Sequence, residues 1–127
     1  VILLQPTSPL RTGADIAVAL RLYEQSPGVN SLVSVCEVDH PRAWMGTIGR
    51  DNTLQGVDLS GKRSQEYAKE YRLNGALYVS SARTIKARAS LFTDELKAYV
   101  MPRNRSVDID TQDDFDFCSV LIAAGRG

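Results

Sequence analysis

The chain opens with Val1-Ile2-Leu3-Leu4-Gln5-Pro6, and this stretch decides the class of fold. A continuous apolar run that is stopped by a proline is typical of a short strand buried on both faces of a parallel sheet. Open α/β sheets bind ligands at the carboxyl ends of their strands. The sequence therefore predicts an α/β fold with a binding site beside Gln5.

The next residues predict the rest of a strand-helix-strand unit. Thr12 and Asp15 have the spacing of a capping box, and apolar residues then recur at helical spacing. We expect this helix to end near Gln25, because Pro27-Gly28 is a strong stop signal. Residues 31–38 are rich in valine and predict the next strand, reached by a right-handed crossover.

The middle of the chain is more polar and predicts an excursion from the sheet rather than a second domain. Short extended pieces at 43–48 and 53–57 flank the turn signal Asp51-Asn52. Further along, the pattern predicts strands at 77–79 and 98–101, with a basic helix at 82–91 between them. Thr111 and Asp114 cap a last helix, whose apolar stripe ends at Gly125.

Composition restricts the class of protein. The 127 residues are 43% hydrophobic, which suits one globular domain. Fifteen basic and fifteen acidic side chains cancel, so no overall charge favours nucleic acid or an anionic membrane as a partner. No apolar run suits a signal peptide or a membrane span, so we expect a cytoplasmic location. Cys36 and Cys118 are expected to be small buried apolar residues, not a disulfide or a metal pair.

The segment Ser106-Val107-Asp108-Ile109-Asp110-Thr111 contains the strongest candidate metal ligands. Two carboxylates two residues apart on an extended backbone point to the same side. Their oxygens suit Mg²⁺, which keeps several waters and binds the phosphate oxygens of a substrate. The alternative is that these acidic residues only charge the first turn of the following helix, as Asp113 and Asp114 are expected to do.

Several other polar side chains are candidate ligand-binding groups. Amide, hydroxyl and guanidinium groups of this kind recognise carboxylates, phosphates and sugars, and they belong to Gln5, Ser8, Arg11, Arg63 and Arg72. Turn formation and ordinary surface exposure are the alternatives. Asn74-Gly75 is a common tight-turn dipeptide, and Tyr78 fits a core position on a strand.

Several of these segments occur in the order and spacing of the acylneuraminate cytidylyltransferases, which the chain resembles over nearly its whole length. The matching segments are residues 1–11, Arg63-Ser64-Gln65, residues 71–78, and Ser106 to Thr111 followed by Asp114-Phe115. The resemblance implies a Rossmann-like nucleotidyltransferase fold, with a partial, mostly parallel sheet and helices on its faces. It also implies a single, partial domain, 1–127, with a protruding dimerisation excursion at about 43–72 and 83–100.

The resemblance also implies roles for individual residues. Asp108 and Asp110 match the family's Mg²⁺-binding pair. Positions that line the sugar pocket in the family correspond to Gln5, Arg63, Arg72, Asn74 and Tyr78, with an arginine expected to meet the sugar carboxylate. Leu91 and Phe92 match a site where the family often has two aromatic residues that reach the partner's site in a homodimer, so Leu91 is a departure. Glu66 is another departure, because the family more often has aspartate there.

The implied activity is the activation of a nonulosonic, sialic-type acid with CTP, which gives the CMP-sugar and pyrophosphate. The family's basic Gly/Ser-rich loop for the CTP phosphates does not precede Val1, so the chain alone is expected to be inactive. The alternative is a truncated, non-catalytic relic that acts as a binding or assembly module. Sialic, legionaminic and pseudaminic acids all remain open as substrates, and a 3-deoxy-manno-octulosonate cytidylyltransferase is a further alternative.

Overall fold

The computed structural model describes residues 1–125 and divides the chain into two compact units. One unit comprises residues 1–36 together with the chain from residue 73 onward, and the other comprises residues 37–72. The first unit contains the helices α1 (Gly13–Glu24), α2 (Ala82–Arg88) and α3 (Gln112–Ala123). Together with a partly parallel sheet, they confirm the predicted α/β class.

The main sheet has four strands in the order β1-β5-β2-β6. These strands are β1 (Ile2–Leu3), β2 (Ser31–Glu37), β5 (Tyr71–Ser80) and β6 (Leu96–Val100). β2 and β6 run parallel, with Ser31 opposite Leu96. β1 and β5 run antiparallel, with Leu3 opposite Tyr78. The helix α1 therefore connects two strands, β1 and β2, that are separated in the sheet by β5.

The first strand differs from its prediction. The side chains of residues 1–4 are 38–63% exposed, and β1 is an antiparallel edge strand rather than a parallel strand buried on both faces. β1 has one neighbour, β5, in the part of the chain that the structure describes, so its other edge is unpaired there. The apolar run correctly predicted a strand, but it gave no information on which strand pairs with β1 or in which direction that strand runs.

The core of the first unit lies between α1 and the sheet. Ala19 of α1 packs with Leu32, Leu77 and Val79, and the partly buried side chains around them are Ile16, Leu20, Leu22, Tyr23 and Tyr99. Truncating a leucine that is fully enclosed in such a cluster costs about 2–5 kcal/mol. The core thus fixes α1 against β2 and β5, and β5 carries Asn74, Gly75 and Tyr78 of the candidate site.

Most of the other predicted elements are confirmed. The helix α1 starts at the predicted Thr12–Asp15 capping box, and α3 starts at the Thr111–Asp114 box. The predicted helix 82–91 ends early, at Arg88, because Ala89 takes a left-handed backbone conformation. Both cysteines are buried and free, as expected. Within residues 1–125, no helix has both the length and the apolar character needed to cross a bilayer.

The second unit is built around a small hairpin. The strands β3 (Thr47–Ile48) and β4 (Leu54–Gln55) are antiparallel, and the predicted turn between them places Asn52 at a φ of 63°. The first part of the predicted extended piece 43–48 instead lies in a 3₁₀ helix, Arg42–Trp44. The Trp44 ring contacts the rings of His40 and Tyr67, with centroids 6.0 and 6.2 Å away.

Candidate functional site

Gly75 lies at the centre of the candidate site. Its φ is 73°, a backbone conformation that side chains other than glycine rarely adopt. A Cβ at this position would lie 2.5 Å from Gln5 Oε1, 3.4 Å from Asp108 Oδ2 and 3.5 Å from Ser8 Oγ. Oxygens from two distant parts of the chain therefore converge over a residue without a side chain. The tight-turn interpretation of Asn74-Gly75 is wrong, because both residues lie inside β5.

Asp108 carries an unsatisfied oxygen at this place. Its Oδ1 is buried and accepts no hydrogen bond from any residue that the structure describes. Buried polar atoms nearly always have a partner, so an orphaned carboxylate oxygen indicates a missing ion or donor. Asp110 is exposed, and its amide donates to Asp114 Oδ2 at 3.2 Å.

The donor set fits a hard cation that binds few protein ligands. Residues 1–125 contain no cluster of three or more histidine, cysteine or acidic side chains that suits a metal. A cation held by Asp108 and Asp110 would complete its shell with water and substrate oxygens. Mg²⁺ binds in that manner, commonly through one or two carboxylates and phosphate oxygens.

The segment that carries Asp108 is held by irregular contacts. It lies outside the strands, on the irregular chain that follows β6. The Ile109 amide donates to the Thr7 carbonyl at 2.8 Å, and Ser106 Oγ accepts from Asn74 Nδ2 at 2.9 Å. These contacts fix the segment against residues 5–11 and against β5.

Asn74 acts inside the unit rather than on its surface. The side chain is buried, and its Oδ1 accepts from Ser34 Oγ at 2.6 Å and from the Ala76 amide at 3.3 Å. Its Nδ2 donates to Ser106 Oγ and, at 3.4 Å, to Met101 Sδ. The amide therefore joins β2 and β5 to the segment that carries Asp108, a role that sequence reasoning missed.

Arg11 likewise braces the backbone of the site. Its Nη1 donates to the Ala76 carbonyl at 2.5 Å and to the Gln5 carbonyl at 3.3 Å. Ser8 Oγ donates to the Asn74 carbonyl at 3.4 Å. These bonds tie residues 5–11 to β5 on both sides of Gly75. Nη1 of Arg11 thus makes backbone contacts that no local pattern encodes.

Two aromatic residues of the first unit meet further along β5. The rings of Tyr78 and Phe92 contact edge to face, with centroids 5.7 Å apart. Leu91 is partly buried, whereas the Phe92 side chain is exposed. The structure therefore brings two of the candidate residues, Tyr78 and Phe92, into direct contact.

The remaining candidates, Arg63 and Arg72, belong to the second unit. Arg63 is exposed, and its amide donates to Glu66 Oε2 at 2.5 Å where a short 3₁₀ helix begins. Arg72 is exposed near the start of β5. Both guanidinium groups lie on the surface of that unit.

Similarity to known proteins is extensive over this chain. The chain is 38% identical over 117 residues to an N-acylneuraminate cytidylyltransferase of Streptococcus agalactiae serotype V, and the match covers 90% of the chain. The resemblance to the acylneuraminate cytidylyltransferases is confirmed. No family model matches the chain. The chain spans 28% of the length of this cytidylyltransferase.

Two further relatives of the chain are named for other sugars. A CMP-N,N'-diacetyllegionaminic acid synthase of Legionella pneumophila is 30% identical over 126 residues, which are 96% of the chain and 53% of that protein. A pseudaminic acid cytidylyltransferase of Campylobacter jejuni is 34% identical over 120 residues, which are 93% of the chain and 51% of that protein. The similarity therefore extends across relatives that differ in their named sugar.

Proposed function

We propose that this chain forms the sugar- and metal-contacting part of a cytidylyltransferase that activates a nonulosonic acid with CTP. The supporting observation is the Asp108 carboxylate, whose Oδ1 has no partner among the described residues and whose Oδ2, like Gln5 Oε1, lies beside Gly75. The names of the relatives support the same chemistry. We also propose a cytoplasmic location for the reaction.

In this proposal the anomeric oxygen of the sugar bonds to the α-phosphorus of CTP, and the bond to pyrophosphate breaks. Asp108 and Asp110 would hold Mg²⁺, which when bound neutralises phosphate charge and orients the phosphates. Gln5 offers an amide to the sugar from a backbone that Arg11 holds in place. Much of the rate would come from positioning the two substrates, since phosphoryl chemistry needs little covalent help from the protein.

The sugar contacts follow from the resemblance and from the contacts in each unit. In the first unit, we assign the sugar to Gln5 and Tyr78, with Asn74 acting through the backbone that it fixes. The contact of Arg63 or Arg72 with the sugar carboxylate stays a prediction from the resemblance, in which a guanidinium binds a carboxylate through two parallel hydrogen bonds. These assignments rest on the family's pattern.

An exchange of segments tests this proposal. In the S. agalactiae enzyme, this chain would replace the matched segment, and CMP-sugar formation would be measured with sialic, legionaminic and pseudaminic acids. Asp110→Asn in that chimera should lower turnover by orders of magnitude, because one charged ligand is lost where phosphate charge must be balanced. The matched control is Asp113→Asn, an exposed acidic residue of the first turn of α3, which should leave turnover unchanged. Near-normal turnover of the Asp110→Asn chimera at limiting Mg²⁺ would contradict the proposal.

We also propose a homodimer formed through the second unit and Leu91-Phe92. That unit exposes apolar side chains on its hairpin and beyond it, including Ile48 at 65% and Leu59 at 85%. Ile48→Asp should shift the protein toward monomer in sedimentation velocity, whereas Arg50→Asp, on the same hairpin, should not. A wild-type protein that is monomeric at high micromolar concentration would rule out the dimer.

A further inference from the structure

A second constellation, centred on the buried carboxylate of Asp15, lies apart from the oxygens around Gly75. Its side chain is 1% exposed. Oδ1 accepts from Arg105 Nη2 at 2.7 Å and from the Tyr99 hydroxyl at 2.9 Å. Oδ2 accepts from Arg105 Nε at 3.2 Å and from the Thr12 amide and hydroxyl at 2.9 and 2.7 Å. The carboxylate thus joins the start of α1 to β6 and to the 3₁₀ helix Arg103–Arg105.

This arrangement exceeds what a helix cap requires. The other capping box of the first unit, at α3, is formed by Thr111 and Asp114, and Asp114 accepts only from Thr111 and from the Asp110 amide among the bonds that the structure describes. That box starts its helix without an arginine or a tyrosine. The bidentate contact from Arg105 to Asp15 is therefore not explained by the need to cap α1.

The explanation lies in the position of Arg105 along the chain. Asp108 comes three residues later, and its Oδ1 has no partner among the described residues to hold it. Its position must therefore come from the backbone. That backbone is fixed at Arg105 by Asp15, at Ser106 by Asn74, and at Ile109 by the Thr7 carbonyl.

We propose that Asp15 and Arg105 are a positioning pair. They hold the backbone before Asp108, so that the unpartnered carboxylate oxygen of Asp108 is already in position when a cation binds. The metal part of this inference rests on the proposed function. Residues that orient a metal ligand from outside the coordination shell typically change metal affinity 10- to 100-fold when they are replaced. Arg105→Lys would keep the positive charge but lose the bidentate geometry of the guanidinium.

Two NMR measurements on the 127-residue chain test the inference. The first is hydrogen exchange of the Ile109 amide, whose acceptor is the Thr7 carbonyl, compared with the Leu77 amide of the core. The second is a Mn²⁺ titration, followed by the paramagnetic broadening of the Gly75 and Ile109 amides. Arg105→Lys should speed Ile109 exchange and weaken Mn²⁺ binding, each by about 10-fold or more, and leave Leu77 protected.

The control is Arg88→Lys, which alters an exposed arginine–aspartate pair of the same unit and should change neither measurement. Tyr99→Phe removes a single hydrogen bond to Asp15 and should give a smaller change in the same direction. It replaces Arg105→Lys if the loss of Leu77 protection shows that the lysine variant has unfolded.

The outcomes separate the two proposals. Ile109 exchange at the wild-type rate in Arg105→Lys overturns the positioning role, and so does unchanged Mn²⁺ affinity in a chain that binds Mn²⁺ at Gly75. A wild-type chain that shows no broadening even at millimolar Mn²⁺ counts against the proposed metal site. In that case, Ile109 exchange alone decides whether the pair orders the segment.

Discussion

Acid should destabilise this protein in a way that depends on Asp15. Burial of its carboxyl by itself would raise the pKa, but the hydrogen bonds from Arg105, Thr12 and Tyr99 outweigh burial and lower the pKa to about 2. The usual value is 3.8. Because the folded pKa lies below the unfolded one, the charged form stabilises the fold above pH 4. That stabilisation is lost as the pH falls from about 5 toward 2.

The size of the effect follows from the same two values. One pKa unit corresponds to about 1.4 kcal/mol, so Asp15 should contribute about 2 kcal/mol at neutral pH. The perturbation is Asp15→Asn, followed by urea unfolding at pH values from 6 to 2.5. The wild type should lose about 2 kcal/mol more over this range than the variant does.

The probe must report on the first unit. Trp44 fluorescence reports on the second unit, so far-UV circular dichroism and the exchange of the Leu77 amide are preferable. The matched control is Asp114→Asn, which removes a partly buried capping carboxylate that accepts from Thr111 and the Asp110 amide rather than from an arginine. Its pH dependence should follow that of the wild type much more closely. Parallel curves for the wild type and Asp15→Asn would refute the reasoning.

Two substitutions test the construction of the site. Gly75→Ala should cost about 1–3 kcal/mol and displace the Gln5 side chain, because its Cβ would meet Gln5 Oε1 at a positive φ. Gly28→Ala shares the positive φ but has open space around it, so urea unfolding of both variants separates crowding from backbone strain. Asn74→Ala should cost about 2 kcal/mol or more, since it removes the buried amide that bonds to both Ser34 and Ser106; an unfolding free energy within about 0.5 kcal/mol of the wild type would contradict that role.

Local signals in the sequence were sufficient for several elements. The capping boxes at Thr12 and Thr111 located the starts of two helices, because the groups that form such a box lie three residues apart. The run of β2 was also recognisable, since it is short and mostly apolar and contains two β-branched valines, which favour strands. In each of these cases, the physical cause lies within one short window of the chain.

The rest depends on contacts between distant residues. Asp15 and Arg105 are 90 residues apart, and nothing near Asp15 distinguishes it from an ordinary cap. The Asn74-Gly75 dipeptide has a turn-like composition, yet it lies inside a strand because Ser34, 40 residues away, satisfies the asparagine. The edge position of β1 has the same origin, since its neighbour β5 begins about 70 residues later.

The unpartnered oxygen of Asp108 predicts a conflict between stability and binding. A buried carboxylate oxygen without a partner lowers stability, so Asp108→Asn should raise the unfolding free energy by about 1 kcal/mol when a chelator is present. Asp113→Asn, at an exposed position, should change it by less than about 0.5 kcal/mol. Mn²⁺ at ten times its dissociation constant should then stabilise the wild type by about 1.4 kcal/mol and leave Asp108→Asn unaffected, which reverses the order.

Urea unfolding with and without Mn²⁺ measures both halves of this prediction. If Asp108→Asn is destabilised by more than about 1 kcal/mol in chelator, the carboxylate is a structural acceptor for the fold and not a ligand kept free for a cation. If the variant is more stable but Mn²⁺ stabilises both proteins equally, the cation binds elsewhere. If Mn²⁺ reverses the order of stability of the wild type and Asp108→Asn, the cation supplies the interaction that the buried oxygen lacks. Only this result fits a carboxylate that the fold holds in place although it lowers the stability of the protein.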